Sequence, residues 1–215
     1  MSNKKLKVIF VGDGKVGKTS IISQYVNKNF TEEHILTTSG DKSFKSITID
    51  DQTFDLEIWD TAGQEMFRNV NKIFMKNSKI AIIVIDITNI NSMDGLEYWT
   101  KQIKENLKIE EIITAIAANK SDLYEEKAIN NEDIIAFQNK NNINVFCETS
   151  AKDYVSINNL FQQCVKSYIE KQKEKKVKPK IEEDNNDTNN QNFKITNETH
   201  KKTEHDKKKC CFGKN

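Results

Sequence analysis

Four short stretches limit the folds open to this chain. "LKVIFVG", "KIAIIVIDIT", "IITAIAA" and "INVFC" are near-continuous apolar runs, which is how strands read when a sheet is covered on both faces, as parallel sheets between helices are. Helical patterns lie between them. In the clearest, Ile157, Leu160, Phe161, Cys164, Val165, Tyr168 and Ile169 recur at the 3.6-residue period behind Ser156, which the pattern places at the N-cap. "SFKSITIDDQTFDLEIWD" differs, because Phe54, Leu56 and Ile58 alternate with Asp55, Glu57 and Trp59 after an Asp-Asp-Gln turn. That pattern predicts a hairpin on one edge of the sheet. The result is an α/β chain.

A chain of 215 residues, 36% of them hydrophobic, can bury one sizeable core and carry an appendage. The apolar period stops after about Lys171, and Lys, Glu, Asn, Asp and Thr take over around Pro179. The expected division is a folded domain over 1–170 and a disordered tail over 171–215. The charge divides there too, with 13 Lys against 9 acidic residues from Glu170 onward, which leaves 20 basic and 23 acidic residues before it. A weakly acidic body argues against nucleic acid as a partner. The four cysteines, Cys147, Cys164, Cys210 and Cys211, have no framework spacing, which suits a reducing compartment. The first apolar run is too short for a signal peptide, and no stretch approaches the ~20 apolar residues of a membrane span.

Four motifs carry chemistry. "GDGKVGKT", Gly12 to Thr19, fits G-x-x-x-x-G-K-[ST] at a strand-to-helix junction. Its glycines let backbone N–H groups wrap phosphates, Lys18 adds charge at the β- and γ-phosphates, and the Thr19 hydroxyl can ligate Mg²⁺. In "WDTAGQE", Asp60 ends an apolar strand where a carboxylate can hold Mg²⁺ through water. Gly63 can present a bare N–H to a γ-phosphate, and Gln64 stands where it can orient an attacking water. In "NKSD", Asn119 to Asp122, the Asp122 carboxylate can accept from both N1–H and N2–H₂ of guanine, a donor pair that adenine lacks. "ETSAK", Glu148 to Lys152, follows the last strand and brings the Ala151 N–H toward guanine O6. Each motif falls at the carboxyl end of a strand, where open α/β sheets bind ligands.

Taken together, residues 5 to about 169 resemble a Ras-superfamily small GTPase, and "WDTAGQE", "DIT" (Asp86 to Thr88) and the Cys-Cys end are most similar to the Rab family. The resemblance implies a Ras-like fold, with a six-stranded, mostly parallel sheet, one antiparallel edge strand and helices on both faces. It implies a monomer that cycles between GTP and GDP with Mg²⁺. Gly14, Val16, Gly17, Lys18, Thr19 and Ser20 would cradle the phosphates, and Phe30 would lie edge-on to the guanine. Thr37 would join Thr19 and Asp60 at Mg²⁺. Asn119, Lys120 and Asp122 would hold the base with Ser150, Ala151 and Lys152. An exchange factor, a GAP, a GDP-dissociation inhibitor and effectors are the implied partners, and a role in vesicle traffic the implied task.

The chain departs from the family at the first switch, where "TTSGDK" puts Ser39 at a glycine position and Lys42 where a phenylalanine would pack with Trp59 and Phe74. Lys15 inside the phosphate loop is another departure, with a solvent-facing side chain favoured over a phosphate contact. Arg68 is the single arginine and reads as a switch contact rather than a finger, so hydrolysis should be slow without a partner. The end, "KKKCCFGKN", admits three readings: a metal site with His200 and His205, a solvated tail, or lipidation of Cys210 and Cys211 beside a polybasic cluster. Prenylation there would put the protein on the cytoplasmic face of an intracellular membrane, with a cytosolic pool. Two functional alternatives stand beside the switch: a metabolic phosphotransferase or ATPase, opposed by "NKSD" and "ETSAK", and a GTP-locked module that barely turns over.

Overall fold

The computed structural model describes residues 3–31, 40–61 and 73–186, with side chains as far as Lys175. Six strands form one sheet: β1 (Lys4–Val11), β2 (Asp41–Ile49), β3 (Gln52–Asp60), β4 (Ile80–Asp86), β5 (Ile113–Asn119) and β6 (Val145–Glu148). Their order is β2-β3-β1-β4-β5-β6. β1 pairs in parallel with both β3 and β4, and the parallel ladder continues through β5 to β6. β2 is antiparallel to β3 at the edge, as the alternating pattern predicts. Asp50 and Asp51 close the hairpin with φ of 47° and 60°, the left-handed pair that a tight two-residue loop matched to strand twist requires.

The near-continuous apolar runs serve two cores. On one face Leu6, Val8 and Phe10 of β1 and Ile80, Ile82 and Val84 of β4 pack with helix α1 (Lys18–Asn27) and the last helix, α4 (Tyr154–Asn186). On the other, Ile9 and Val11 with Ala81, Ile83 and Ile85 meet helices α2 (Ser92–Asn106) and α3 (Asn131–Asn141). Successive strand residues point to opposite faces, so a strand covered twice must be apolar throughout. The order reverses around β1, whose neighbours lead away in opposite directions. The carboxyl ends of β1, β3, β4, β5 and β6 thus share one edge, the place for a ligand in this architecture.

Two local expectations are corrected. Asp153, rather than Ser156, caps α4: its carboxylate accepts from the backbone N–H groups of Val155 (2.9 Å) and Ser156 (3.1 Å). The helix also continues to Asn186, so residues 171–186, expected to lack structure, are helical. Lys, Glu and Gln lose little side-chain freedom in a helix, and the backbone persists after the apolar stripe ends. Within the sheet domain Lys171 still docks the helix, donating to the carbonyls of Ile109 (2.9 Å) and Ile112 (2.7 Å). The chain divides into two units, Met1–Lys175 and Lys176–Asn215.

Ile82, fully buried at the centre of the sheet, gives a direct test of this packing. Ile82→Ala should cost about 2–5 kcal/mol in urea unfolding, while Thr48→Ala on the exposed edge strand should stay within about 0.5 kcal/mol. A loss at Ile82 no larger than at Thr48 would mean that β4 is not the buried strand described.

Candidate functional site

The loop between β1 and α1 is held in a conformation that its glycines permit. Gly12 and Gly17 have φ of 146° and 99°. A Cβ at Gly12 would stand 2.4 Å from the Val84 carbonyl, and one at Gly17 2.2 Å from Asn119 Nδ2. The first is a backbone carbonyl and the second a side-chain amide, and at both positions the positive φ favours glycine as well. Lys15 takes the left-handed region without being glycine, at φ 66°, and its exposed side chain lines the adjoining cavity.

Lys18 opens α1 and is buried, with Nζ donating to the carbonyls of Gly12 (2.9 Å) and Asp13 (2.7 Å). Burial lowers its ammonium pKa to about 8, against the opposing pull of Asp60 and Asp13. An anion at the loop would favour the charged form of this lysine. The next residue, Thr19, donates its hydroxyl to Asp60 Oδ2 at 2.6 Å, which brings the loop and the end of β3 together. A hydroxyl and a carboxylate beside a phosphate cradle are the hard oxygen donors that Mg²⁺ takes when it also binds a nucleotide. The hydroxyl of Thr19 and the carboxylate of Asp60 are a donor set that fits Mg²⁺. Thr37, Gly63, Gln64 and Arg68 lie outside the described residues.

The base side is built from β5 and β6. Asn119 donates from Nδ2 to the Val16 carbonyl at 2.8 Å and accepts from the Thr149 hydroxyl at 3.4 Å. These bonds tie the loops after β5 and β6 to the loop after β1, and Asn119, expected to hold the base, also lines the adjoining cavity. Lys120, at φ 67°, extends its ammonium to Asp86 Oδ2 at 2.5 Å and lines the cavity. Asp122 accepts from the Ser150 hydroxyl (2.7 Å) and pairs with Lys152 (3.5 Å). Burial alone would raise its carboxyl pKa. The Ser150 hydroxyl, its own backbone N–H and Lys152 outweigh that and hold it below the usual carboxylate value. A carboxylate kept ionised suits a partner that offers two N–H donors.

Between the two sets of loops lies a cavity of about 360 Å³, lined by Lys15, Gly17, Ser20, Phe30, Thr31, Asn119, Lys120, Asp122, Leu123, Ala151 and Lys152. Of the expected binding residues, Gly14, Val16, Lys18, Thr19 and Ser150 do not line it. Val16 and Ser150 support it through the bonds to Asn119 and Asp122. Three residues have supporting roles that the motif reading did not assign: Asp86 of "DIT", which anchors Lys120; Thr149 of "ETSAK"; and Gln24, outside every motif, whose side chain donates to the Lys152 carbonyl at 3.1 Å. Asp86 carried the same signal as Asp60, an acidic end to an apolar strand.

Lys42 does pack at the position where an aromatic ring was expected. Its ammonium lies 4.1 Å from the centroid of the Trp59 ring and 3.6 Å from Glu57, which also accepts from Trp59 Nε1 at 2.8 Å. Trp59 meets Phe74 with ring centroids 5.3 Å apart. A cation over an indole face replaces ring-on-ring packing, and Phe44, two residues further along β2, is 66% exposed.

Comparison with known proteins agrees with this geometry. A Ras family model matches residues 7–170. Relatives include the Ras-related protein Rab-7a of Paramecium octaurelia, 33% identical over 82% of this chain and 88% of its own length. The Ypt/Rab-type GTPase avaA of Emericella nidulans is 36% identical over 79% and 86%, and the Ras-related protein Rab-2B of Dictyostelium discoideum 32% over 77% and 81%. The chain belongs to the Ras family and is a Rab-like small GTPase, an enzyme that binds GTP and GDP with Mg²⁺ and hydrolyses GTP.

Proposed function

We propose that this GTPase is a membrane-anchored switch in vesicle traffic, with a guanine-specific site formed by the residues above and a slow hydrolysis that a GAP accelerates. The observation that carries the site assignment is the joining of base and phosphate loops around one cavity by the Asn119–Val16 bond. The phosphates would rest on the backbone from Gly14 to Ser20 with Lys18 as counter-charge, and Mg²⁺ on Thr19, Asp60 and Thr37. Gln64 would orient the water that attacks the γ-phosphorus as the bond to the β-bridging oxygen breaks, giving GDP and phosphate. Arg68 is the single arginine of the chain and reads as a switch contact. A partner's arginine, a contribution worth roughly 10³ to 10⁵ in rate for this chemistry, would complete the site. The proposed division is a GTPase domain over 1–170 and a variable tail over 171–215, the first part of which is helical.

The anchor reading rests on sequence and family, because Cys210 and Cys211 lie outside the described residues. Lys207, Lys208 and Lys209 beside two thiols supply the two signals that stable attachment takes, since each lysine near an anionic leaflet contributes only about 1 kcal/mol while lipid adds ~0.8 kcal/mol per buried methylene. Two prenyl chains require an extracting partner for a cytosolic pool, the part a GDP-dissociation inhibitor would play.

Three measurements test this reading. Asp122→Asn should weaken GTP about 10- to 100-fold and favour xanthosine triphosphate, whose O2 accepts where guanine donates; unchanged GTP affinity removes Asp122 from the base site. Gln64→Leu should leave GTP binding near wild type while lowering GAP-stimulated turnover on the order of 10²-fold; full stimulated turnover would refute its role, and a wild type that no GAP accelerates would favour the GTP-locked alternative. Changing Cys210 and Cys211 together to Ser should release the protein to the cytosol with nucleotide affinity unaltered. Unmodified thiols in the membrane-bound pool, read by intact mass of the C-terminal peptide, would sink the anchor.

A further inference from the structure

Helix α2 reaches the phosphate loop at a residue that the nucleotide chemistry leaves unassigned. The Trp99 indole donates from Nε1 to Asp13 Oδ1 at 3.0 Å, and Trp99 is 1% exposed. One turn earlier, Gly95 makes room for the same carboxylate: a Cβ there would stand 2.2 Å from Asp13 Oδ2 and 3.0 Å from its Cγ. Glycine is a poor helix former, so what position 95 provides in this helix is clearance. Asp13 in turn holds Lys18, its carbonyl accepting from Nζ at 2.7 Å. The first turn of α2 braces the base side as well, since the Ser92 hydroxyl accepts from the Asp86 N–H at 3.2 Å and Asp86 holds Lys120.

We infer that Asp13 and Trp99 are positioning residues for the polyphosphate: the indole, fixed in α2, holds the Asp13 carboxylate and with it the loop backbone that aims Lys18. The inference rests on the assignment of Gly12–Thr19 as the phosphate cradle. A loop with left-handed residues at Gly12, Lys15 and Gly17 gains by being held in place, because conformational freedom left in the free protein is lost again on binding. Neither Asp13 nor Trp99 lines the nucleoside cavity, so their effect should fall on phosphate and spare the base.

The test uses the full chain with GDP and GMP. Trp99→Phe keeps an aromatic ring and removes the donor, while Gly95→Ala adds the carbon that displaces the carboxylate. Each should speed release of radiolabelled GDP roughly tenfold, the factor that losing one hydrogen bond to a charged group corresponds to. The ratio of GDP to GMP affinity should fall by the same factor, since only GDP carries the β-phosphate that Lys18 and the loop address. A helix weakened without consequence for the loop would lower both affinities together, and that result, or unchanged GDP release in both variants, overturns the inference. A wild type with no preference for GDP over GMP removes the phosphate-cradle assignment and the inference with it. Should both variants fail to fold, the wild-type indole N–H resonance of Trp99, distinguished from Trp59 by Trp59→Phe, must move between the GMP- and GDP-bound states; a resonance that stays in place overturns the proposal.

Discussion

The bond from Asn119 to the Val16 carbonyl is the constraint on which the rest of the site depends. It spans 103 residues of sequence at 2.8 Å, and it requires Gly17, because any Cβ there would collide with the same amide. Neither loop could make this contact unless β1 and β5 ended at the same edge, with β4 between them. The sheet order is therefore the cause and the cavity the consequence. In the proposed site, a ligand with phosphates at one end and a purine at the other would find these two loops already joined, which lowers the ordering cost of binding.

Electrostatics are arranged by the same closure. Lys18 is buried among carbonyls, where its ammonium is held at about 8 instead of its ordinary value. A buried cation that lacks full solvation responds strongly to an anion, since the local dielectric is lower than water's. Asp122 lies at the other extreme, part-exposed and kept ionised by a hydroxyl, its own amide and a lysine. In the proposed site, one end would receive negative charge and the other N–H donors. That division follows from which strand ends in a glycine loop and which ends in an Asn-Lys-Ser-Asp turn.

The edge hairpin shows a sequence departure absorbed by chemistry different from that of the side chain it replaces. Lys42 stands opposite Trp59 in the β2–β3 register, and Glu57 on the same strand as Trp59 takes up its charge. The surface therefore offers an aromatic core already overlaid by lysines, Lys7 at 4.3 Å as well as Lys42 at 4.1 Å from the ring, in place of an open apolar triad. A partner must compete with these contacts or use them.

Much was legible in the sequence because the relevant physics is local. Two-sided burial writes itself as unbroken apolar runs, so β1, β4, β5 and β6 could be read directly; the alternation of β3 marked the hairpin edge; and glycines at Gly12 and Gly17 marked a turn that other residues cannot make. Motif spacing placed Lys18, Thr19, Asp60 and Asp122 at strand ends without any knowledge of which strands are neighbours. Other features depended on who stands opposite whom. Local pattern proposed Ser156 as a cap and an end to helical structure near Lys171, yet the carboxylate of Asp153 caps the helix and the helical backbone continues to Asn186. Asn119 belongs to a base-binding motif by spacing, and its bond to the Val16 carbonyl is a further contact that spacing does not show. The meeting of Asp13 with Trp99, 86 residues apart, has no trace in any local window. Hydrophobic period and backbone permission are properties of a residue and its immediate neighbours, whereas a hydrogen bond across the sheet exists only once the strand order has brought its two ends within three ångströms.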